Sequence, residues 1–86
     1  MRVQRVPADD LLVHDGETAL LVEGMAVRLS ELSAAIYDLT EDMVEVGRLA
    51  SELEARFGTP EGSSAREATA HAVEELLRHG VLRSEP

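Results

Sequence analysis

Val13–Leu29 reads VHDGETALLVEGMAVRL and holds two turn dipeptides, Asp15-Gly16 and Glu23-Gly24, with six residues between them. Each is flanked by alternating apolar side chains, the pattern of a strand reversing through a tight hairpin. If Asp15-Gly16 is a two-residue loop, His14 faces Glu17, Val13 faces Thr18 and Leu11 faces Leu20. If Glu23-Gly24 is another, Val22 faces Met25, Leu20 faces Val27 and Thr18 faces Leu29. Side chains alternate across a strand, so one face then collects Leu11, Val13, Thr18, Leu20, Val22, Met25, Val27 and Leu29. The other face collects Leu12, His14, Glu17, Ala19, Leu21, Ala26 and Arg28. Two turns placed independently agree on a single apolar face. This predicts an antiparallel meander with strands near Leu11–His14, Glu17–Val22 and Met25–Leu29.

Three helices are expected after the meander. Ser30 caps the first, near Glu31–Leu39, with Leu32, Ala35, Ile36 and Leu39 as its apolar stripe. Asp42-Met-Val-Glu45 reads as a capping-box variant opening the second, near Met43–Phe57. Its stripe is Val46, Leu49, Ala50, Leu53 and Phe57, and Gly58 with Pro60 ends it. Gly47 costs about 1 kcal/mol inside a helix, which points to a close approach of another backbone there. Ser64-Ala-Arg-Glu67 caps the third helix, near Ala65–His79, with Ala65, Ala68, Ala72, Val73, Leu76 and Leu77 facing inward. Gly80 suits the left-handed position after it, letting Val81 fold back on Leu76. Val3–Val6 is an extended lead-in within residues 1–10, and Ser84-Glu85-Pro86 is expected to fray. The fold class is therefore α+β and winged-helix-like, a three-stranded antiparallel meander followed by three α-helices in one domain over residues 1–86.

Composition limits the chemistry. The chain has 86 residues, 44% of them apolar, enough for one small core. It has no cysteine, which removes disulfides, thiolate metal ligands and a cysteine nucleophile. Apolar runs are too short to cross a bilayer, and Met1–Arg5 lacks a signal-peptide segment, so a cytoplasmic location and no membrane partner are expected. Seventeen acidic residues oppose eight basic ones, all arginine, for a net charge of −9. That field repels phosphate backbones and is compatible with cationic partners or basic peptides.

No catalytic constellation emerges. His71 and His79 are two turns apart on a helix, about 12 Å, and His14 lies in a strand, so none is expected to share a metal. The pairs Asp9-Asp10, Glu41-Asp42 and Glu74-Glu75 are sequence neighbours whose side chains splay apart. Glu31-Leu32-Ser33 has the letters of an acyl-carrier attachment motif in the wrong order. Gly16 and Gly24 are turn glycines, and no glycine-rich loop joins a strand to a helix. No enzyme activity, cofactor or metal is expected. A winged-helix DNA-binding protein is an alternative by element order. Its third helix, however, sets Arg66 and Arg78 against Glu67, Glu74 and Glu75 and offers no aromatic side chain for stacking.

The ordered combination of features resembles the PqqD-like family, the recognition elements for ribosomally synthesised and post-translationally modified peptides. The resemblance runs from about Val13 to Leu82. It comprises the Asp-Gly turn followed by Ala19-Leu-Leu-Val22, then Arg28-Leu29-Ser30, then Ala35-Ile-Tyr-Asp-Leu39. The helix from Val44 to Phe57 and the closing Val73-Glu-Glu-Leu-Leu-Arg-His-Gly-Val-Leu82 complete it. Two departures stand out: Leu29-Ser30 replaces the common Leu-Asn, and Thr40-Glu41-Asp42 occupies a turn that often contains glycine.

The resemblance implies a noncatalytic protein that binds the leader of a precursor peptide. The leader adds as a strand to the third meander strand, beside the third helix, and is delivered to a separate leader peptidase or modifying enzyme. Met25, Ala26, Val27, Arg28 and Leu29 would supply the edge, and Ala68, Ala72, Glu75, Leu76 and His79 the groove. The opposite helix flank, Arg66, Ala70 and Glu74, is the alternative wall. The chain looks most like the discrete recognition subunit of lasso-peptide biosynthesis, with a peptide chaperone for a radical enzyme as the alternative within the family.

Overall fold

The computed structural model describes residues 1–85 and is α+β. Strands β1 (Arg2–Arg5), β2 (Asp10–His14), β3 (Glu17–Val22) and β4 (Met25–Leu29) precede α1 (Glu31–Leu39). A two-residue strand β5 (Val44–Glu45) leads into α2 (Val46–Phe57), followed by α3 (Ala65–Arg78) and β6 (Leu82–Glu85).

The meander forms in the expected register. His14 pairs with Glu17, Leu11 with Leu20, Val22 with Met25 and Leu20 with Val27. Both loops take positive φ at both central residues, +51° and +79° at Asp15-Gly16 and +48° and +82° at Glu23-Gly24. This matches the right-handed twist of the flanking strands, and glycine at the second position removes half of the steric cost. Leu20 and Leu29 are buried, with Val22 and Val27 packed against the same core. Leu11, Val13 and Met25 lie on that face yet stay exposed. The sheet overhangs the helices: β2 has β3 as its main neighbour, and every residue of β2 is exposed.

A second sheet, ordered β5-β1-β6, was not expected. The lead-in is its central strand: Val3 pairs with Val44 on one side and Ser84 on the other, and is fully buried. The tail does not fray at Ser84 and Glu85, which lie in β6, where Glu85 also meets Arg2 at 3.2 Å. Pro86 lies outside the described residues. What turns the chain back is the end of α3. Gly80 N–H donates to the Leu77 carbonyl and Val81 N–H to that of Leu76, the paired bonds of a Schellman ending. Val81 and Leu82 are thereby inserted into the core.

The second sheet also moves the start of α2. Val44 and Glu45 are drawn into extended pairing with β1, and Val46 N–H donates to the Met1 carbonyl. The helix therefore begins at Val46, three residues later than the capping box at Asp42 suggested, and Glu45 is its cap, accepting from Arg48 N–H at 3.0 Å. Gly47 makes room for that cap rather than for another backbone; a Cβ there would stand 2.8 Å from a Glu45 carboxylate oxygen. The Gly47 and Arg48 N–H groups hold the Glu45 carboxyl below its ordinary pKa. The other two caps are as expected, Ser30 accepting from Ser33 N–H and Ser64 from Glu67 N–H. Helix α3 closes at Arg78, with His79 as its C-cap.

One core joins both sheets and all three helices through Val3, Leu20, Leu29, Ile36, Leu49, Leu53, Val73, Leu76 and Leu82. Thr69 occupies the inward row of α3 between Ala65 and Val73, a position the apolar stripe omitted. Phe57, the last residue of the α2 stripe, is half exposed.

Candidate functional site

β4 is an edge strand, bonded to β3 on one side only. Its free groups follow from ladder parity. The residue pair that closes a two-residue hairpin exchanges both backbone bonds, and bonded and non-bonded pairs then alternate. Val22–Met25, Leu20–Val27 and Thr18–Leu29 are therefore bonded pairs, whereas Leu21–Ala26 and Ala19–Arg28 are not. The N–H and C=O of Ala26 and Arg28 point away from the sheet, and among the described residues no other backbone bond takes them up. The open edge thus offers two donors and two acceptors at alternate residues, the spacing an incoming strand requires.

These groups open onto a groove of about 640 Å³ between β4, the first turn of α1 and one flank of α3. Of the residues expected at the site, Met25, Ala26, Val27 and Arg28 line its sheet side, and Ala68, Ala72, Glu75, Leu76 and His79 its helix side. Leu29 does not: its side chain is 6% exposed and sits in the core, with its backbone paired to Thr18. The alternative flank, Arg66, Ala70 and Glu74, is exposed and turned away from the groove. The two half-buried alanines, Ala68 and Ala72, leave the space that larger side chains would fill.

Ser30, Leu32, Ser33 and His71 also line the groove and were not expected there. A signal existed for Leu32. A helix whose cap directly follows an edge strand must place its first-turn apolar residue beside that strand. His71 and His79 frame Glu75 along α3, four residues to either side. The Glu75 carboxylate already meets Arg78 at 3.0 Å and His79 at 3.7 Å, so a cation entering the groove competes with Arg78. At the other rim Arg28 meets Glu17 at 3.6 Å. Past Leu32 and Ala68 a second apolar hollow of about 350 Å³ reaches Leu53, Phe57 and Pro60.

No protein-family model, curated protein or solved structure matches the chain. Among the described residues, no helix is long and apolar enough to cross a membrane, and no three His, Asp or Glu side chains converge as metal ligands would. The groove thus combines unpaired backbone groups on its β4 wall with alanine and leucine side chains and the ionic side chains of Arg28 and Glu75.

Proposed function

We propose that this chain is a noncatalytic recognition protein. It binds the leader region of a ribosomally made precursor peptide as an added strand on β4, beside α3, and presents the peptide to a separate leader peptidase or modifying enzyme. Lasso-peptide biosynthesis is the pathway type this reading favours. The observation that carries it is the pair of unbonded residues, Ala26 and Arg28, at the rim of an apolar groove.

The energetics say what the peptide must bring. Up to four backbone bonds to Ala26 and Arg28, at about 1 kcal/mol net each, reach at best the low end of an association cost of roughly 4–15 kcal/mol. Apolar side chains seated over Ala68, Ala72 and Leu76 must supply the rest. Alternate residues of an added strand point to the same side, so the leader needs apolar residues spaced two apart.

The test is calorimetric titration with a synthetic leader peptide, copied from the N-terminal half of a short precursor to be sought among the genes neighbouring this chain's own. The unsubstituted protein should bind it. Arg28→Pro should fold normally, because position 28 donates nothing to β3, and should bind at least tenfold more weakly, because the outward N–H is gone. A folded Arg28→Pro that binds with unchanged affinity, or a peptide that gives no heat with the unsubstituted protein, overturns the proposal.

A further inference from the structure

The opposite edge of the meander carries features that leader binding does not use. Among the described residues strand β2 has no backbone partner beyond β3, and it exposes Leu11, Leu12 and Val13 by 50%, 54% and 67%. By the same ladder parity, Leu11 and Val13 oppose Leu20 and Thr18 in non-bonded pairs, so their backbone groups point outward. We propose that β2 is a self-association edge, pairing antiparallel with β2 of a second copy about a two-fold axis through Leu12.

That register satisfies three conditions together. Leu11 of each copy faces Val13 of the other, so all outward backbone groups meet outward partners. Leu12 faces its own equivalent on the axis. Asp10 faces His14 at both ends, an acid against a base, both exposed; in the single chain His14 meets Asp15 at 3.2 Å and turns from it to reach Asp10 of the second copy. Centring the axis on Leu11 or Val13 instead places Leu12 against Asp10 or His14 and strands part of the edge. In the single chain the Leu11 N–H is occupied by the Asp10 carboxylate at 2.8 Å; turning Asp10 toward His14 of the second copy frees that donor for pairing. Two three-stranded sheets become one of six strands, with β4 at both outer ends and both grooves open.

The edge is five residues long, short of the roughly 1,600 Å² of a standard interface, and each copy carries a net charge of −9. The dimer is accordingly concentration-dependent, and added salt strengthens it by screening the repulsion.

Sedimentation over a concentration series should show a monomer–dimer equilibrium that shifts toward dimer with salt. Val13→Pro removes an outward donor without touching the β3 ladder and should abolish the dimer, whereas Arg28→Pro should leave it intact. Because the chain has no cysteine, a single-cysteine trap reads the register independently of the proline variant's folding. Non-bonded antiparallel neighbours have Cα atoms about 4.5 Å apart, within the span of a disulfide. Leu12→Cys should therefore cross-link on oxidation, and His14→Cys, which faces Asp10, should not. A chain that stays monomeric up to its solubility limit, or equal cross-linking at the two positions, overturns the proposal and leaves the leader-binding reading untouched.

Discussion

Ala72→Glu measures how far binding depends on the helix side of the groove. Ala72 is half-buried, lines the groove and packs against the core, whereas Ala70 lies exposed on the far flank of the same helix. A glutamate at position 72 has two outcomes on peptide binding. It stays in the groove and is desolvated with the incoming apolar side chain, at several kcal/mol, or it swings to the rim and fills space the peptide needs. It would also stand one turn from the Glu75 carboxylate, adding repulsion on the same face. Allowing for partial escape to solvent, about 2.7 kcal/mol remains, roughly a hundredfold in Kd. Ala70→Glu adds the same charge to the same helix outside the groove and should change affinity less than threefold. Calorimetry on both folded variants, checked by circular dichroism, decides the matter. Equal losses would refute groove binding in favour of a general charge effect, and a larger loss for Ala70→Glu would put the peptide on the other side of α3.

Two further predictions concern the fold. Deleting Leu82–Pro86 removes a buried leucine and the whole β1–β6 ladder, so it should cost at least the 2–5 kcal/mol or so of a buried leucine truncation; denaturant unfolding checks this, and an unchanged midpoint would mean that the tail contributes nothing. Gly47→Ala should be close to neutral, because about 1 kcal/mol of helix propensity is offset by displacing the Glu45 cap; in a Glu45→Gln background, where an uncharged cap has less to lose, it should stabilise. The Glu45 carboxyl has a lowered pKa in the folded state. Its contribution is present above the ordinary carboxylate pKa and is lost as pH falls through the folded value, so Glu45→Gln should flatten stability in that acidic window, read from unfolding midpoints against pH.

The meander was readable because its information is local. Asp15-Gly16 and Glu23-Gly24 set two loops, and alternation then determined every cross-strand pair from Asp10 to Leu29. The caps at Ser30 and Ser64 and the reversal at Gly80 are likewise encoded within a few residues. The β5-β1-β6 sheet was hidden because its partners are distant: Val3 meets Val44 and Ser84, and no periodicity in a four-residue strand announces such pairing. That pairing displaced the start of α2, since Val44 and Glu45 cannot be both strand and helix. On the candidate site, small residues at helical spacing marked Ala68 and Ala72, but which flank of α3 met β4 depended on packing that sequence alone left open. Leu29 was misplaced for a related reason. It belongs to the edge strand by position, yet its side chain points into the core.

Strand addition depends on the backbone of β4, and amide hydrogen exchange reads that backbone directly. In the free protein the Ala26 and Arg28 amides should exchange quickly while those of Val27 and Leu29, bonded to β3, exchange slowly. Saturation with the synthetic leader peptide should slow Ala26 and Arg28 by at least tenfold and leave the Leu11 and Val13 amides of β2 unchanged. Protection that appears at Leu11 and Val13 instead, or Ala26 and Arg28 amides that stay fast in the saturated complex, would contradict strand addition at β4.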